Sequence, residues 1–291
     1  NRQQLTRFAS WDVLGGNLDG SRIVFQNGCD LWLHDMETDK TSRLAITLAS
    51  DFDQTREHWI DEPLKYLTHY DLSPNGKHLA LTVRGRVFIA STQRGRLRRL
   101  NSAVDVRLRG ATFRPGSSEI ITLSDENGET DFWRHPGDGT AAAKPVTSNA
   151  TTLRFMGDVS PNGRKVAYTD RNQRLWILDV ESGASQQVAF CAEWNNFDNP
   201  DLSWSPDSRW LAFVNFESNT NRRIFIYDAS KDNSQPVPVT TPRLESYSPT
   251  WSVDGKWLYF LSDRSFRSVQ RSPWGARQPE PYLDKTTRIY Q

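Results

Sequence analysis

The sequence is poor in cysteine, with Cys29 and Cys191 the only two among 291 residues. Two thiols so far apart argue against a disulfide framework and predict lone, buried thiols. The chain also lacks any run of about 18 apolar residues, which argues against a membrane-spanning helix. It has no starting Met and no basic-then-apolar leader, so we expect a signal peptide to be absent or already removed.

The sequence has no excess of charge of either sign, since 36 basic side chains face 35 acidic ones and the formal net charge is +1. This balance gives no reason to expect a nucleic acid or a membrane as partner. No GxSxG, HExxH, Walker or CxxC motif is present, so no cofactor, metal or catalytic residue is predicted. A Ser-His-Asp triad stays open, because triads are recognised by geometry. The histidines are His34, His58, His69, His78 and His135.

The sequence contains internal repeats. The phrase SWSPDSRWLAF at residues 203–213 recurs as DLSPNGKHLAL at 71–81, DVSPNGRKVAY at 158–168 and TWSVDGKWLYF at 250–260. We mark each unit by the Pro of this phrase or by the residue in its place, which gives Leu18, Pro74, Pro115, Pro161, Pro206 and Val253. Successive markers lie 56, 41, 46, 45 and 47 residues apart. This spacing is typical of four short strands per unit, as in the blades of a β-propeller.

Each unit combines a Ser-Pro-Asp/Asn-Gly turn with short apolar strands. Pro presets φ at the second turn position, and Gly accepts a positive φ near the end. The middle strands, such as HLALTV and KVAYTD, are nearly continuous apolar runs, which predicts that both faces of each sheet are covered. The sequence therefore predicts an all-β fold, a β-propeller of four-stranded antiparallel blades, as a single domain over residues 1–291.

Six units are visible, and the last lacks its fourth strand. The N-terminal segment NRQQLTRF is interpreted as that strand, and pairing it with the last unit would close a ring of six blades. A ring of seven blades, of which six are visible, is the alternative. Two insertions interrupt the period, at about residues 49–69 and 264–286. We interpret the first as a solvated loop, although its acidic side chains and His58 also suggest metal ligands.

Candidate binding residues follow from the fold, because propellers generally bind at the ends of the central channel. The basic cluster over residues 84–100, which continues to Arg107, Arg109 and Arg114, predicts a positive rim that attracts acidic or C-terminal carboxylate groups, with a solvated face as the alternative. The inner-strand residues Asp71, Asp158 and Asp201 are interpreted as hydrogen-bonding to neighbouring blades, not as metal ligands. The candidates for peptide binding at the channel rim are Arg84, Arg86, Arg107, Arg109, His69, Tyr70, Phe155, Trp194, Phe197 and Tyr247.

Four longer stretches carry a resemblance to a known family. They are IVFQNGCDLWLHDMET (23–38), DLSPNGKHLALTVRGRVFIASTQRGR (71–96), YFLSDRSF (259–266) and SPWGARQPEPYLDKTTRIY (272–290). They resemble the second propeller of tricorn-type serine peptidases, and the SPNGK repeats are more broadly similar to TolB-type propeller repeats. The resemblance implies a seven-bladed propeller that guides or filters oligopeptides. It also implies that the catalytic residues lie in other domains, so none is assigned in this chain.

The resemblance also implies partners and a compartment. The expected partners are peptides or unfolded polypeptide and the other domains of the same parent chain, with a homo-oligomer formed through that parent. Cytoplasmic localisation is favoured by the family, and a periplasmic one stays open. The alternative function is a TolB-like interaction scaffold that docks one folded partner.

Overall fold

The computed structural model describes residues 3–9, 11–47, 49–103, 105–137, 141–191, 201–264 and 287–291. These residues form β-strands and two short 3-10 helices, Asp53–Thr55 and Pro63–Tyr66. Within the described ranges, no helix is both long and apolar enough to span a bilayer. The chain divides into two compact units, residues 1–60 and 61–291. A single domain over residues 1–291 stays a prediction.

The first unit contains one antiparallel sheet whose strands follow each other in sequence order. Its strands are β1 (Val13–Asp19), β2 (Arg22–Asn27), β3 (Asp30–Asp35) and β4 (Lys40–Arg43). All seven residues of β1 are exposed. Phe8 packs edge-on against two rings of this sheet, with ring centroids 5.9 Å from Phe25 and 4.9 Å from Trp32.

The second unit contains five antiparallel sheets, and in each of them every strand pairs with its neighbours in sequence. The second sheet contains β5 (Leu67–Leu72), β6 (His78–Val83), β7 (Arg86–Ser91) and β8 (Arg98–Arg99). The third contains β9 (Leu108–Phe113), β10 (Glu119–Asn127), β11 (Glu129–Pro136) and β12 (Lys144–Pro145). The fourth contains β13 (Arg154–Val159), β14 (Lys165–Asp170), β15 (Arg174–Asp179) and β16 (Ser185–Phe190).

The fifth sheet contains β17 (Leu202–Trp204), β18 (Trp210–Phe216), β19 (Arg222–Asp228) and β20 (Val237–Pro238). The sixth contains β21 (Glu245–Trp251), β22 (Leu258–Asp263) and β23 (Thr287–Tyr290). Six successive up-and-down sheets of this kind are propeller blades, so the predicted all-β blade architecture is confirmed.

The predicted closing strand is not formed by the described part of the N-terminal segment. Residues 3–9 contain no strand, and the sixth sheet has three strands within the described residues. The reason is local, because Phe8 buries its ring against Phe25 and Trp32 of the first sheet instead. Most of the second insertion, residues 265–286, lies outside the described residues. The first insertion is largely exposed, as expected of a solvated loop.

The core of the second unit lies between successive sheets. Three clusters of buried side chains join the second sheet to the third, the third to the fourth, and the fourth to the fifth. In β10, Ile120 belongs to the first cluster and Ile121 to the next. In β14, Tyr168 belongs to the cluster between the third and fourth sheets, and Ala167 to the cluster between the fourth and fifth. Neighbouring strand residues point to opposite faces, so the predicted two-sided burial is confirmed for the third and fourth sheets.

One serine hydroxyl organises the repeated turn. Ser73 Oγ donates to Asn75 Oδ1 (2.8 Å) and accepts the backbone N–H of His78 (2.9 Å). Gly76 then takes a φ of +68°, where a side chain would be strained. The same pair of hydrogen bonds recurs at three serines, Ser160, Ser205 and Ser252. The turn at Ser252 forms with Val253 in place of Pro, so the hydroxyl is the shared element.

Removing this hydroxyl should destabilise the protein where water cannot replace it. Ser160 is fully buried, and Ser160→Ala leaves the backbone N–H of Lys165 without its acceptor. We expect a loss of about 1–3 kcal/mol in the free energy of unfolding, measured by urea denaturation. The matched control is Ser252→Ala, in a turn that solvent reaches. Equal losses in the two variants would contradict this explanation.

Candidate functional site

The first strand of each sheet is here called the inner strand, and in the second unit several inner strands are hydrogen-bonded to the inner strand of the next sheet. Between β5 and β9, His69 Nε2 lies 3.3 Å from Thr112 Oγ1, and Asp71 Oδ2 accepts the backbone N–H of Phe113 at 2.7 Å. Further along the chain, Asp201 Oδ2 accepts the backbone N–H of Ser248 at 3.2 Å. The interpretation that these inner-strand aspartates bond to neighbouring blades is therefore confirmed for Asp71 and Asp201.

Two tryptophans make the same kind of connection in the following sheets. Trp204 Nε1 donates to the carbonyl of Asp158 (3.1 Å), and Trp251 Nε1 donates to the carbonyl of Ser203 (3.2 Å). Each indole thus ties its own inner strand to the one before it. The inner strands of the second unit are consequently held in register by side-chain hydrogen bonds.

A close backbone approach lies between β9 and β13. Gly110 has a φ of +58°, and a Cβ at this position would lie 2.6 Å from Met156 Cβ. A larger residue would therefore displace Met156 and its neighbour Phe155, which is half-buried. The candidate Phe155 precedes Met156 on β13.

Three of the four candidate arginines lie together and form what we call the positive rim, Arg84, Arg107 and Arg109. The Arg84–Gly85 turn contacts Arg107, since a Cβ on Gly85 would lie 2.7 Å from Arg107 Cγ. The Arg84 guanidinium lies 5.0 Å from the ring centroid of Tyr66. Burial lowers the pKa of Arg109, as does the charge of Arg107, against the opposite effect of Asp125.

Arg86, the fourth candidate arginine, has a different environment. Its guanidinium donates to the backbone carbonyls of Ala103 and Val106 in the connection that precedes β9. These bonds hold the connection that carries Arg107. The structure therefore gives Arg86 a positioning role, and a direct role in binding stays a prediction.

The remaining candidates are spread over several sheets. Tyr70 follows His69 on β5 and is 68% exposed. Tyr247 lies on β21, where the Arg222 guanidinium is 4.0 Å from its ring centroid and its hydroxyl donates to Asp263 Oδ1 (3.2 Å). Trp194 and Phe197 lie outside the described residues. His69, Tyr70 and the positive rim thus lie on the second and third sheets, which are joined between β5 and β9. Their role in binding stays a prediction.

Asp158, the third inner-strand aspartate predicted to bond a neighbouring blade, bonds the next blade through its backbone carbonyl, and within the described residues its side chain makes no hydrogen bond to that blade. Burial among the inner strands raises its pKa to about 6, and the charge of Asp71 acts in the same direction. The residue is nevertheless exposed. No signal in the sequence distinguishes it from Asp71, because the difference depends on which neighbour supplies a hydrogen bond.

The other reactive groups are engaged or inert. Within the described part of the chain, no three His, Cys, Asp or Glu side chains are placed to share a metal ion. His34 Nδ1 bonds Thr41 Oγ1 at 2.9 Å, but its Nε2 is 3.7 Å from Asp39 Oδ1, so no hydrogen-bonded relay forms. Burial raises the pKa of Cys191 to about 12, which keeps it a thiol. Cys29 is exposed, contrary to the expected burial, because it occupies the turn between β2 and β3.

The raised pKa of Asp158 predicts a pH dependence of stability. Between about pH 4, where an unfolded Asp titrates, and pH 6, the folded protein holds a proton that the unfolded chain has released. Stability from this group is therefore lost as pH rises through that range. We expect Asp158→Asn to gain stability over wild type between pH 5 and pH 8, measured by urea denaturation. Asp12→Asn, an exposed carboxylate in the first unit, is the control and should track wild type.

Comparison with known proteins places these features in a family. A family model described as the tricorn protease second beta propeller domain matches residues 67–290, which begin with β5 and end with β23. A tricorn protease homolog from Saccharolobus solfataricus is 26% identical over 260 residues, covering 89% of this chain and 23% of its own length. Tricorn protease homolog 1 of Streptomyces coelicolor is 28% identical over 257 residues, covering 86% of this chain and 24% of its own.

A crystal structure of the tricorn protease matches this fold with a TM-score of 0.65 at 20% identity, over 98% of this chain and 27% of the other. The chain spans about a quarter of the length of the curated relatives it matches. Because the family model covers all five sheets of the second unit, the chain belongs to the family of tricorn protease second β-propeller domains.

Proposed function

We propose that this chain is the non-catalytic propeller portion of a tricorn-like serine peptidase, and that it guides or filters oligopeptides toward a catalytic domain elsewhere in its parent. The observation that carries the proposal is the family match over residues 67–290. The parent's other domains are then the covalent partners of this chain, and any homo-oligomer forms through that parent. Its substrates are peptides or unfolded polypeptide.

The chemistry of the positive rim supports a peptide ligand. Arg84 and Arg107 are exposed, so their guanidinium groups are accessible to solvent, and Tyr70 exposes an aromatic face nearby in sequence. Guanidinium groups pair with carboxylates in a two-pronged geometry, which suits acidic side chains and C-terminal carboxylates. An extended peptide offers both a carboxylate and flat amide groups to such a surface.

Exposure of the rim also favours weak binding. Charged pairs at an accessible surface contribute little and are screened by salt. A surface that sorts or passes substrates must release them, so weak binding that tolerates many sequences fits a guiding role better than a deep pocket does.

Substitution at the positive rim tests this proposal. We expect the double variant Arg107→Gln/Arg109→Gln to bind a fluorescein-labelled poly-Glu peptide roughly 3- to 10-fold more weakly than wild type, because two guanidinium partners are lost. Fluorescence anisotropy at low salt measures the affinity. The control is Arg164→Gln, an exposed arginine in the β13–β14 turn at the opposite end of the strands.

Unchanged affinity in the double variant would contradict a role for the rim in binding. Hydrolysis of the peptide by the chain alone, followed by mass spectrometry, would contradict its non-catalytic role. Tight, saturable binding of one folded protein, with no affinity for peptides, would instead support the scaffold function of TolB-like propellers.

A further inference from the structure

A groove of about 860 Å³ lies between the second and third sheets, at the opposite end of the strands from the positive rim. One side is formed by the Ser73–Asn75 turn together with β7 and the segment that follows it. The other is formed by the turn between β9 and β10 and by Gly137. The volume falls in the range of pockets that hold drug-sized ligands. None of its lining residues is among the candidates predicted from the sequence.

The groove combines apolar and cationic groups. Pro74, Ile89 and Phe113 line it, and the last two are also part of the core between these sheets. Arg96 and Arg98 line the same space, and none of the lining residues is an Asp or a Glu. No acidic residue occurs in the sequence between Asp71 and Asp105. The groove therefore has arginine side chains beside an apolar surface and no acidic residue in its lining.

Arg96 is the cation that is available to a ligand. Its side chain is exposed, and it makes no hydrogen bond or ion pair with any residue that the structure describes. An exposed guanidinium is accessible to an anionic group of a ligand. A carboxylate is the protein group whose geometry matches a guanidinium.

The walls of the groove are held by close backbone approaches. A Cβ on Gly137 would lie 2.0 Å from the carbonyl oxygen of Ser118, so only glycine lets this segment reach the β9–β10 turn. A Cβ on Gly95 would lie 2.7 Å from Ser91 Cβ, which brings the segment before Arg96 onto β7. Gly116 takes a φ of +76° in the facing turn. A preformed groove of this kind binds without the cost of ordering its walls.

We infer that this groove binds an extended acidic peptide segment in which an apolar side chain lies next to a carboxylate. The apolar side chain packs against Pro74, Ile89 and Phe113, and the carboxylate pairs with Arg96. This inference is independent of the proposed function, because the groove and the positive rim share no residue. Apolar side chains distinguish this ligand from a nucleic acid, whose phosphates would use Arg96 but leave the apolar surface uncovered.

Three labelled decapeptides test the two halves of this recognition on the full chain. They consist of alternating Leu and Glu, alternating Leu and Lys, and alternating Ser and Glu. We expect the Leu/Glu peptide to bind most tightly by fluorescence anisotropy. Arg96→Glu should weaken its binding roughly 5- to 10-fold, because an attractive pair becomes repulsive. Arg94→Glu, two residues away and not lining the groove, is the matched control and should match wild type.

Further variants separate this groove from the positive rim. Ser118→Trp places a large side chain in the groove and should also weaken the Leu/Glu peptide, whereas Arg107→Gln/Arg109→Gln should leave the contribution of Arg96 unchanged. Equal effects of Arg96→Glu and Arg94→Glu would overturn the inference. Binding of the Ser/Glu peptide as tight as that of the Leu/Glu peptide would also overturn it. Displacement of the Leu/Glu peptide by an oligonucleotide at comparable concentration would do the same, because either result would show that the apolar surface has no role in binding.

Discussion

Face-to-face burial between successive sheets is the constraint on which the rest of this structure depends. No single sheet encloses a core, since the apolar residues of β10 and β14 divide between the clusters on either side. Burial of apolar surface is the dominant favourable contribution to folding, and the three buried clusters described in the second unit all lie where two blades meet. The inner-strand hydrogen bonds depend on that packing, because it fixes the distance between neighbouring strands, whereas the repeated serine turns are closed by hydrogen bonds within each turn.

Sequence periodicity predicts this architecture well, for a physical reason. The turn chemistry and the two-sided apolar strands of one blade recur at each marker, so every unit repeats the same local prediction. The serine hydroxyl network at Ser73 and its equivalents was not predicted, although each Ser-x-Asx phrase contains it. The predicted closing strand was wrong for the described residues, because the segment NRQQLTRF contains no pattern that specifies which sheet it joins, and the Phe8 ring packs against the first sheet.

The candidate site was harder to predict than the fold. The basic cluster indicated a rim, but sequence alone does not separate the exposed Arg107 from Arg86, whose guanidinium binds backbone carbonyls some 17 to 20 residues away. Asp71 and Asp158 occupy equivalent places in two repeats and differ only in their hydrogen-bond partners. The groove beside Arg96 is formed by two different blades, so no local pattern contains it. Features that form within one repeat can be predicted from its sequence, whereas features that form at the contact between two repeats cannot.

The sharing of cores between neighbours has a consequence for how the second unit comes apart. Its third and fourth sheets each take part in two buried clusters, whereas the second and fifth take part in one. Stability then resembles a sum of nearest-neighbour interfaces, as in repeat proteins, and local opening is easiest where a sheet has one such interface. Backbone amides of β10 and β14 should therefore exchange with solvent most slowly, and those of flanking sheets faster. Rigidity in this unit then decreases from the middle repeats of the sequence toward the repeats on either side.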